Sequence, residues 1–346
     1  MFQSWPESSF LAFSRQHEWG GLPKQSTTLG NGVQVIQHDS GVIEFQPPVN
    51  NAGLDIVLSC AVHGDETAPI EICDELISAL IREELVPESR VLFLIANPAA
   101  INLGRRFVEE NMNRLFSGGH SDGEGLVNRE RVRAKALEGF VLDFFAATPS
   151  AHTRMHYDLH TAIRDSKHEK FAVYPYQNGK PYDAEQLRLL AALDVPVVLL
   201  HEGPTTTFSY FSVNACQAHG FTVELGKVRP FGENDMSCFA TTKAQLIELI
   251  SQGLNTAAAP RLESVQVYQV QRSINRTQED FQLNFPDDVA NFTSFMRGDL
   301  LANDGSTPVY AEQNGESIIF PNANVAIGQR ALLTVMPVAL DKLNIA

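Results

Sequence analysis

The run "LDIVLSCAV", residues 54–62, constrains this chain more than any other segment. A stretch with so few polar members does not suit a sheet with one wet face, where alternate side chains meet water. It fits a strand covered on both sides. "RVLFLIANP", "VPVVLL" and "GFTVELG" share its texture, and "VQVIQ", "IEFQ", "MHYDLHTA" and "FAVYPY" read as further strands. Helical patterns lie between several of them, at residues 67–84, 128–147, 183–193, 209–219 and 240–253. This alternation predicts an α/β domain over residues 1–258 whose sheet is covered on both faces. After "GLNTAAAPRLE" the texture changes to short strands such as "LLAND" and "SIIFP", separated by Gly, Pro, Asn and Asp turns. An all-β domain is therefore expected at residues 259–346.

Charge and hydropathy remove whole classes of partner. With 26 basic against 41 acidic residues the net charge is −15, the wrong sign for a nucleic-acid face. No apolar run approaches the roughly 20 residues of a membrane span. The start, "MFQSWPESSFLAFSRQHEWGG", lacks the basic and apolar stretches of a signal peptide, so a cytoplasmic location is expected. Cys60, Cys73, Cys216 and Cys238 are scattered without a C-x-x-C pair and read as free thiols.

In open α/β sheets ligands collect at the carboxyl ends of strands. The run that opens this section ends in such a place, and it delivers His63 and Glu66 there. His160 follows near the end of "HYDLHTA". Two imidazoles and one carboxylate leave an open fourth position in a catalytic zinc site. Asp158 either orients one of these ligands or is an ordinary strand-end acid. Glu224 is a lone acid in the apolar "GFTVELGK", costly there unless it is paired or functional. It serves either as a general base or as a partner for Lys227. "GRRFVEENMNRLF" gathers Arg105, Arg106, Asn113 and Arg114 into a candidate anion pocket, unless Glu109 and Glu110 neutralise the cations. H-E-x-x-H and G-x-S-x-G are both missing, and "HEG" at 201–203 reads as incidental. The residues alone reach as far as metal-assisted hydrolysis of an anionic amide.

Taken in order, His63-x-x-Glu66, "NMNRLF", "DLHTAIR" and "TVELGK" resemble the succinylglutamate desuccinylase/aspartoacylase family, over essentially the whole chain. That resemblance implies a zinc carboxypeptidase-like fold, with a mixed, largely parallel sheet flanked by helices and a C-terminal all-β domain. It implies one Zn2+ per chain held by His63, Glu66 and His160, with Glu224 as general base and acid. Arg106 matches the arginine that polarises the scissile carbonyl, and Asn113 and Arg114 match the pair that binds a substrate carboxylate. Arg164 is assigned to the remaining carboxylates. Aspartoacylase has an arginine ten residues before its catalytic glutamate; here that place is Asn214, which argues against acetylaspartate. The implied partner is a small anionic N-acyl amino acid, with neither nucleic acid nor membrane; association into a homo-oligomer is left open. The implied reaction is hydrolysis of N-succinyl-L-glutamate to succinate and L-glutamate, the last step of the arginine succinyltransferase pathway. An aspartoacylase-like deacylase of another N-acyl amino acid, a zinc carboxypeptidase and a non-catalytic binding protein are the rival readings.

Overall fold

The computed structural model describes residues 9–50, 52–149, 151–254 and 260–346. The chain begins with α1 (Phe10–Gln16), β1 (Gln25–Thr28), β2 (Gln34–Asp39) and β3 (Val42–Gln46). β4 (Leu54–Cys60), α2 (Thr67–Ile81), β5 (Arg90–Ile95), α3 (Pro98–Leu103) and α4 (Arg129–Ala146) follow. Next come β6 (Thr153–Ala162), β7 (Phe171–Tyr174), α5 (Ala184–Ala192) and β8 (Val197–Leu200). α6 (Phe208–Cys216), β9 (His219–Lys227) and α7 (Ala240–Gln252) close this part. Beyond it lie β10 (Gln266–Asn275), β11 (Gln282–Leu283), β12 (Thr293–Phe295) and β13 (Leu300–Asp304). β14 (Thr307–Tyr310), β15 (Glu316–Ile319) and β16 (Arg330–Val338) complete the set, with no α-helix among the described residues after 260. The expected α/β architecture with a C-terminal all-β region is present. The expected boundary between residues 258 and 259 lies outside the described residues.

Thirteen strands form one mixed sheet in the order β1-β2-β3-β5-β4-β6-β9-β7-β8-β10-β16-β15-β12. The centre is parallel, with β4 paired to β5 on one side and to β6 on the other, and β6 paired to β9. The chain leaves β4 for β5, then jumps back across β4 to lay down β6. That reversal opens a crevice at the carboxyl ends of β4 and β6, where open α/β sheets bind ligands. The C-terminal region is hydrogen-bonded into the same sheet through β10, which runs parallel to β8.

Both faces are covered, as the apolar runs require. One face takes Leu58, Phe93, Tyr157 and Val223 and packs against Phe13 of α1, Leu76 of α2, Leu190 of α5 and Leu249 of α7. The other takes Val57 and Leu92 under Leu137 of α4 and Phe211 of α6. α1, β1 and α3 were not anticipated. α3 is only six residues long, begun by Pro98 and capped by Asn97, whose side chain accepts from the Ala100 N–H at 3.1 Å.

One buried acid fixes the loop that carries the arginines. Glu130, in the first turn of α4, is fully buried. Its Oε1 accepts from Asn97 Nδ2 at 2.7 Å and from the Val108 N–H at 2.8 Å. Its Oε2 accepts from the N–H groups of Glu109 and Glu110 at 2.7 and 2.6 Å. Glu130→Ala strands these four donors, each worth about 1–3 kcal/mol when left unsatisfied. The expected loss is at least about 3 kcal/mol of stability, with Glu130→Gln falling in between. Urea unfolding followed by circular dichroism checks this, and an unshifted midpoint for Glu130→Ala would refute the anchoring role.

Candidate metal centre and substrate pocket

His63 and Glu66 reach the crevice through a sharp turn after β4. Ala61 adopts φ 58°, a left-handed conformation, and Glu66 stands at the N-terminal end of α2. Gly64 permits the turn for a steric reason: a Cβ there would run into the backbone of Ala100 and Ile101 in α3. His160 comes from β6, on the face that also carries His156 and Asp158. All three candidate ligands are buried, with one donor atom from each lying within 4.8 Å of the others. His63 Nδ1 is 2.8 Å from Glu66 Oε1, His160 Nδ1 is 2.8 Å from Glu66 Oε2, and the two rings are 5.1 Å apart.

The outer nitrogens decide what these contacts mean. His160 Nε2 lies 2.8 Å from Asp158 Oδ2, and His63 Nε2 lies 2.9 Å from Asn111 Oδ1, which also accepts from the Asn113 N–H at 3.0 Å. Both partners accept, so both Nε2 atoms donate, and each Nδ1 is left to face the Glu66 carboxylate. A neutral ring would then oppose lone pair to lone pair at 2.8 Å. A divalent cation among the three relieves this, and outward-donating imidazoles are the arrangement of ligating histidines. The donor set fits a zinc-type ion.

Charges within the cluster are strongly perturbed. Burial pushes His63 down to about 4. Burial also opposes charge on His160, but Asp158 and Glu66 outweigh it and hold its pKa well above the ordinary imidazole value. For Glu66, burial would raise the pKa, and His63 and His160 bring it well below the carboxylate range. Asp158 thus orients His160, and it is itself held by Ser59 Oγ at 2.5 Å.

Glu224 on β9 is the direct cross-strand partner of His160. It is 8 % exposed, and its Oε2 is buried without a hydrogen-bond partner. Burial first, with Glu66 adding and His160 opposing, lifts its pKa to about 7. Just beyond it β9 carries one residue more than β6, a bulge that includes Gly226 at φ 126°. Lys227 turns away to Asp165 at 2.7 Å, so the simple Glu224–Lys227 pair does not form.

Arg106 donates through Nη1 to Glu66 Oε1 at 2.7 Å, with its side chain 31 % exposed. Arg105 is exposed on the same loop. Asn113 is buried, and its Oδ1 accepts from the Phe208 N–H at the start of α6 at 3.1 Å. Arg114 opens to solvent and donates through Nη1 to the Asn113 carbonyl at 2.8 Å. The protein crowded round it, then Arg330 and Arg106, push its pKa down to about 10. Glu110 pairs with Arg131 at 2.7 Å instead, and no ion pair among the described residues joins Glu109 or Glu110 to these arginines. Arg164 donates to the carbonyls of Val289 and Pro321 at 3.1 and 3.2 Å, bridging to the C-terminal region. Asn214 is exposed on α6, two residues before Cys216, whose carbonyl binds Arg154 at the start of β6. It lies toward the far end of that strand from His160.

Three neighbours escaped the sequence reading. Asn111 stood inside "NMNRLF", one alternate position before Asn113. His201, set aside as incidental, lies near enough to Arg330 and Arg114 that they join burial in lowering its pKa. Arg330 itself comes from the far end of the chain, and no local pattern marks it.

A His-Glu-His cluster that could hold a metal ion thus lies at the switch point of such a sheet, with a lone acid beside it. Residues 52–250 match the "Succinylglutamate desuccinylase/Aspartoacylase catalytic domain", and residues 263–338 match the "AstE/AspA barrel-sandwich hybrid domain". The chain belongs to the succinylglutamate desuccinylase/aspartoacylase family. It is 55 % identical to the succinylglutamate desuccinylase of Idiomarina loihiensis over 98 % of each chain. It is 52 % identical to that of Shewanella denitrificans over 95 % of each. The crystal structure of succinylglutamate desuccinylase from Vibrio cholerae superposes with a TM-score of 0.87 at 36 % identity, covering 96 % of both chains. That from Chromobacterium violaceum gives 0.85 at 36 % identity, covering 96 % of this chain and 98 % of the other.

The donor geometry predicts that His63→Ala or His160→Ala loses tightly bound divalent metal while keeping its circular dichroism spectrum. Asn111→Ala, which frees the outer nitrogen of His63 and the Asn113 N–H, is expected to weaken metal binding by about 10–100-fold. Chelator competition with metal analysis measures both, and full metal retention by either histidine variant would remove that ligand.

Proposed function

We propose that this protein is a zinc-dependent amidohydrolase that cleaves N-succinyl-L-glutamate to succinate and L-glutamate, the last step of the arginine succinyltransferase pathway. The single observation that carries the chemistry is Glu224. A carboxylate with a buried, unpartnered oxygen and a pKa lifted to about 7 sits in register with His160. An acid so placed suits proton transfer near neutral pH. The substrate is argued from the relatives named above and from Arg114, which makes no ion pair among the described residues. We place the enzyme in the cytoplasm; among the described residues no helix is long and apolar enough to cross a membrane.

His63, Glu66 and His160 would hold one zinc ion, which supplies Lewis acidity toward a carbonyl and toward water. Glu224 takes a proton from the water that attacks the succinyl carbonyl carbon. The C–N bond then breaks, and Glu224 returns the proton to the departing glutamate nitrogen. Arg106, anchored on Glu66 through Nη1, keeps its other donors for the carbonyl oxygen as negative charge develops there. Asn113 fixes the start of α6 and presents Arg114 to a substrate carboxylate. Arg164 supports the pocket from its bonds to the C-terminal carbonyls.

Amine release across N-succinyl-L-glutamate, N-acetyl-L-aspartate and a C-terminal peptide separates this reading from its rivals. N-succinyl-L-glutamate should lead in kcat/KM by at least about 10²-fold. Preference for the peptide would make the protein a carboxypeptidase, and no amine release from any of them would make it a binding protein.

Two variant sets test the roles. Glu224→Gln keeps size but cannot take the proton, so kcat should fall by about 10²–10⁴ with metal content and KM little changed. Near-normal turnover would end the assignment. Removing Arg114 should mainly raise KM, whereas removing Arg106 should mainly lower kcat, because its partner charge exists only in the transition state. Steady-state kinetics showing the same pattern for both would erase that distinction.

A further inference from the structure

Arg330 opens β16, and its guanidinium lies over the ring of Phe320, 5.9 Å from the centroid. Phe320 adopts φ 54°, a left-handed conformation that bulky residues rarely take. Two hydrogen bonds hold it there. Its N–H donates to Asn291 Oδ1 at 2.9 Å, and the carbonyl of the next residue, Pro321, accepts from Arg164 Nη2 at 3.2 Å. The Phe320 ring meets that of Phe171 at 5.8 Å, and Phe171 is the cross-strand partner of Glu224. A second left-handed phenylalanine, Phe292 at φ 62°, packs edge-on against Phe171 at 5.2 Å. Backbone strain is thus concentrated where the C-terminal region meets β7, the neighbour of the strand that carries the proposed base, and strain of this kind persists at functional positions.

The charges point the same way. Among the described residues neither Arg330 nor Arg114 makes an ion pair, in a protein with 41 acidic residues available. The two are close enough that Arg330, after burial, contributes to the lowered pKa of Arg114 and also to that of His201. Two guanidinium groups without a carboxylate partner among the described residues, one of them over the Phe320 ring that meets the cross-strand partner of Glu224, offer paired donors to an anion, and a carboxylate matches them.

We infer that Arg330 joins Arg114 and the neighbouring His201 to form the site for one substrate carboxylate, which makes Arg330 a specificity-determining residue supplied by the C-terminal region. This rests on the reading that the substrate is an N-acyl amino acid bearing several carboxylates. Arg164, bonded to the Pro321 carbonyl, acts on this site as a positioning residue.

The test compares the metal-loaded wild type with Arg330→Lys and Arg330→Gln on N-succinyl-L-glutamate and on three analogues, each lacking one carboxylate. These are N-butyryl-L-glutamate, N-succinyl-L-glutamine and N-succinyl-4-aminobutyrate. Arg330→Gln should raise KM for the full substrate by about tenfold or more with kcat within about threefold, and Arg330→Lys should recover part of the loss. For one analogue the substitution should change kcat/KM by less than about threefold, because the carboxylate it served is already gone. An unchanged KM, or an equal loss on every analogue, overturns the inference. Calorimetric titration with succinate and with L-glutamate supplies a readout that needs no turnover. Arg330→Gln should weaken at least one of them by about tenfold. If the wild type binds one of these products but does not hydrolyse N-succinyl-L-glutamate, the substrate reading fails and calorimetry still judges Arg330. Equal affinity in wild type and variant, or no binding to the wild type, counts against the site. An unchanged unfolding midpoint for Arg330→Lys shows that the shelf remains folded in the variant scored.

Discussion

The Glu66 carboxylate is buried to 1 % exposure, between two imidazoles, a guanidinium and a backbone N–H. His63 and His160 face its two oxygens, Arg106 adds a charged donor, and the Thr161 N–H closes on Oε2 at 3.1 Å. Removing a carboxylate from water costs several kcal/mol even after relaxation, so the charged donor of Arg106 and the Thr161 N–H are conditions of the site existing. The positive end of α2 adds to them, since Glu66 stands at that helix start. Arg106 consequently compensates a buried anion, and the rest of its guanidinium stays partly exposed.

The ground beside that anion is polar because two adjacent parallel strands, β6 and β9, alternate in the same phase. On β6, Tyr157 and Leu159 enter the core under α1, α2, α5 and α7, while His156, Asp158 and His160 face the other way. On β9, Val223 and Leu225 follow the first set, and Thr222 and Glu224 follow the second. The register Asp158 to Thr222 and His160 to Glu224 aligns the polar tracks side by side. Ser59 on β4 extends the track through its bonds to Asp158 and His156, and Ser212 of α6 caps the far nitrogen of His156 at 2.6 Å. A polar track of this length inside an apolar sheet is tolerable because these members are hydrogen-bonded. The exception is Glu224 Oε2, and an unsatisfied oxygen next to a candidate metal site is where reactivity is expected.

Which parts of this were legible in the sequence follows from how local each signal is. His63 and Glu66 are three residues apart after an unmistakable strand, and Glu224 interrupts an apolar run, so each announces itself. The fold class was legible for the same reason, because its signal is periodicity repeated over many elements. Short elements such as α3 escape, since six residues held by a proline and a cap carry little period. The partners of the arginines escape for another reason. Glu130 neutralises backbone donors and Glu110 takes Arg131, so the acids nearest in sequence are not the ones that matter in space. Arg330 is more than two hundred residues from Arg114, and "HEG" gave no hint that His201 stands beside them. Only the return of the chain through β10 to β16 makes them neighbours.

That return also ties recognition to packing. β10 extends the central sheet by pairing Val267 with Val198 and Tyr268 with Leu199, and β16 pairs back on β10 with Leu332 opposite Ile274. Leu332 and Leu333 are buried on opposite sides of β16, one in each of the two C-terminal core clusters. Slipping β16 by one residue would exchange their faces, so apolar burial sets the register. Arg330 enters at the edge of that register, across a bulge at Ile274 and Asn275, where it is free of the core and turned over Phe320. Arg330 is thus positioned by the aliphatic side chains that set the register of β16. The strained Phe320 and the bonds from Asn291 and Arg164 hold the other side of the same shelf. With the shelf fixed from two sides, Arg330 is ordered by the fold itself, and a preorganised cation retains more of its interaction energy as affinity for any anion it binds.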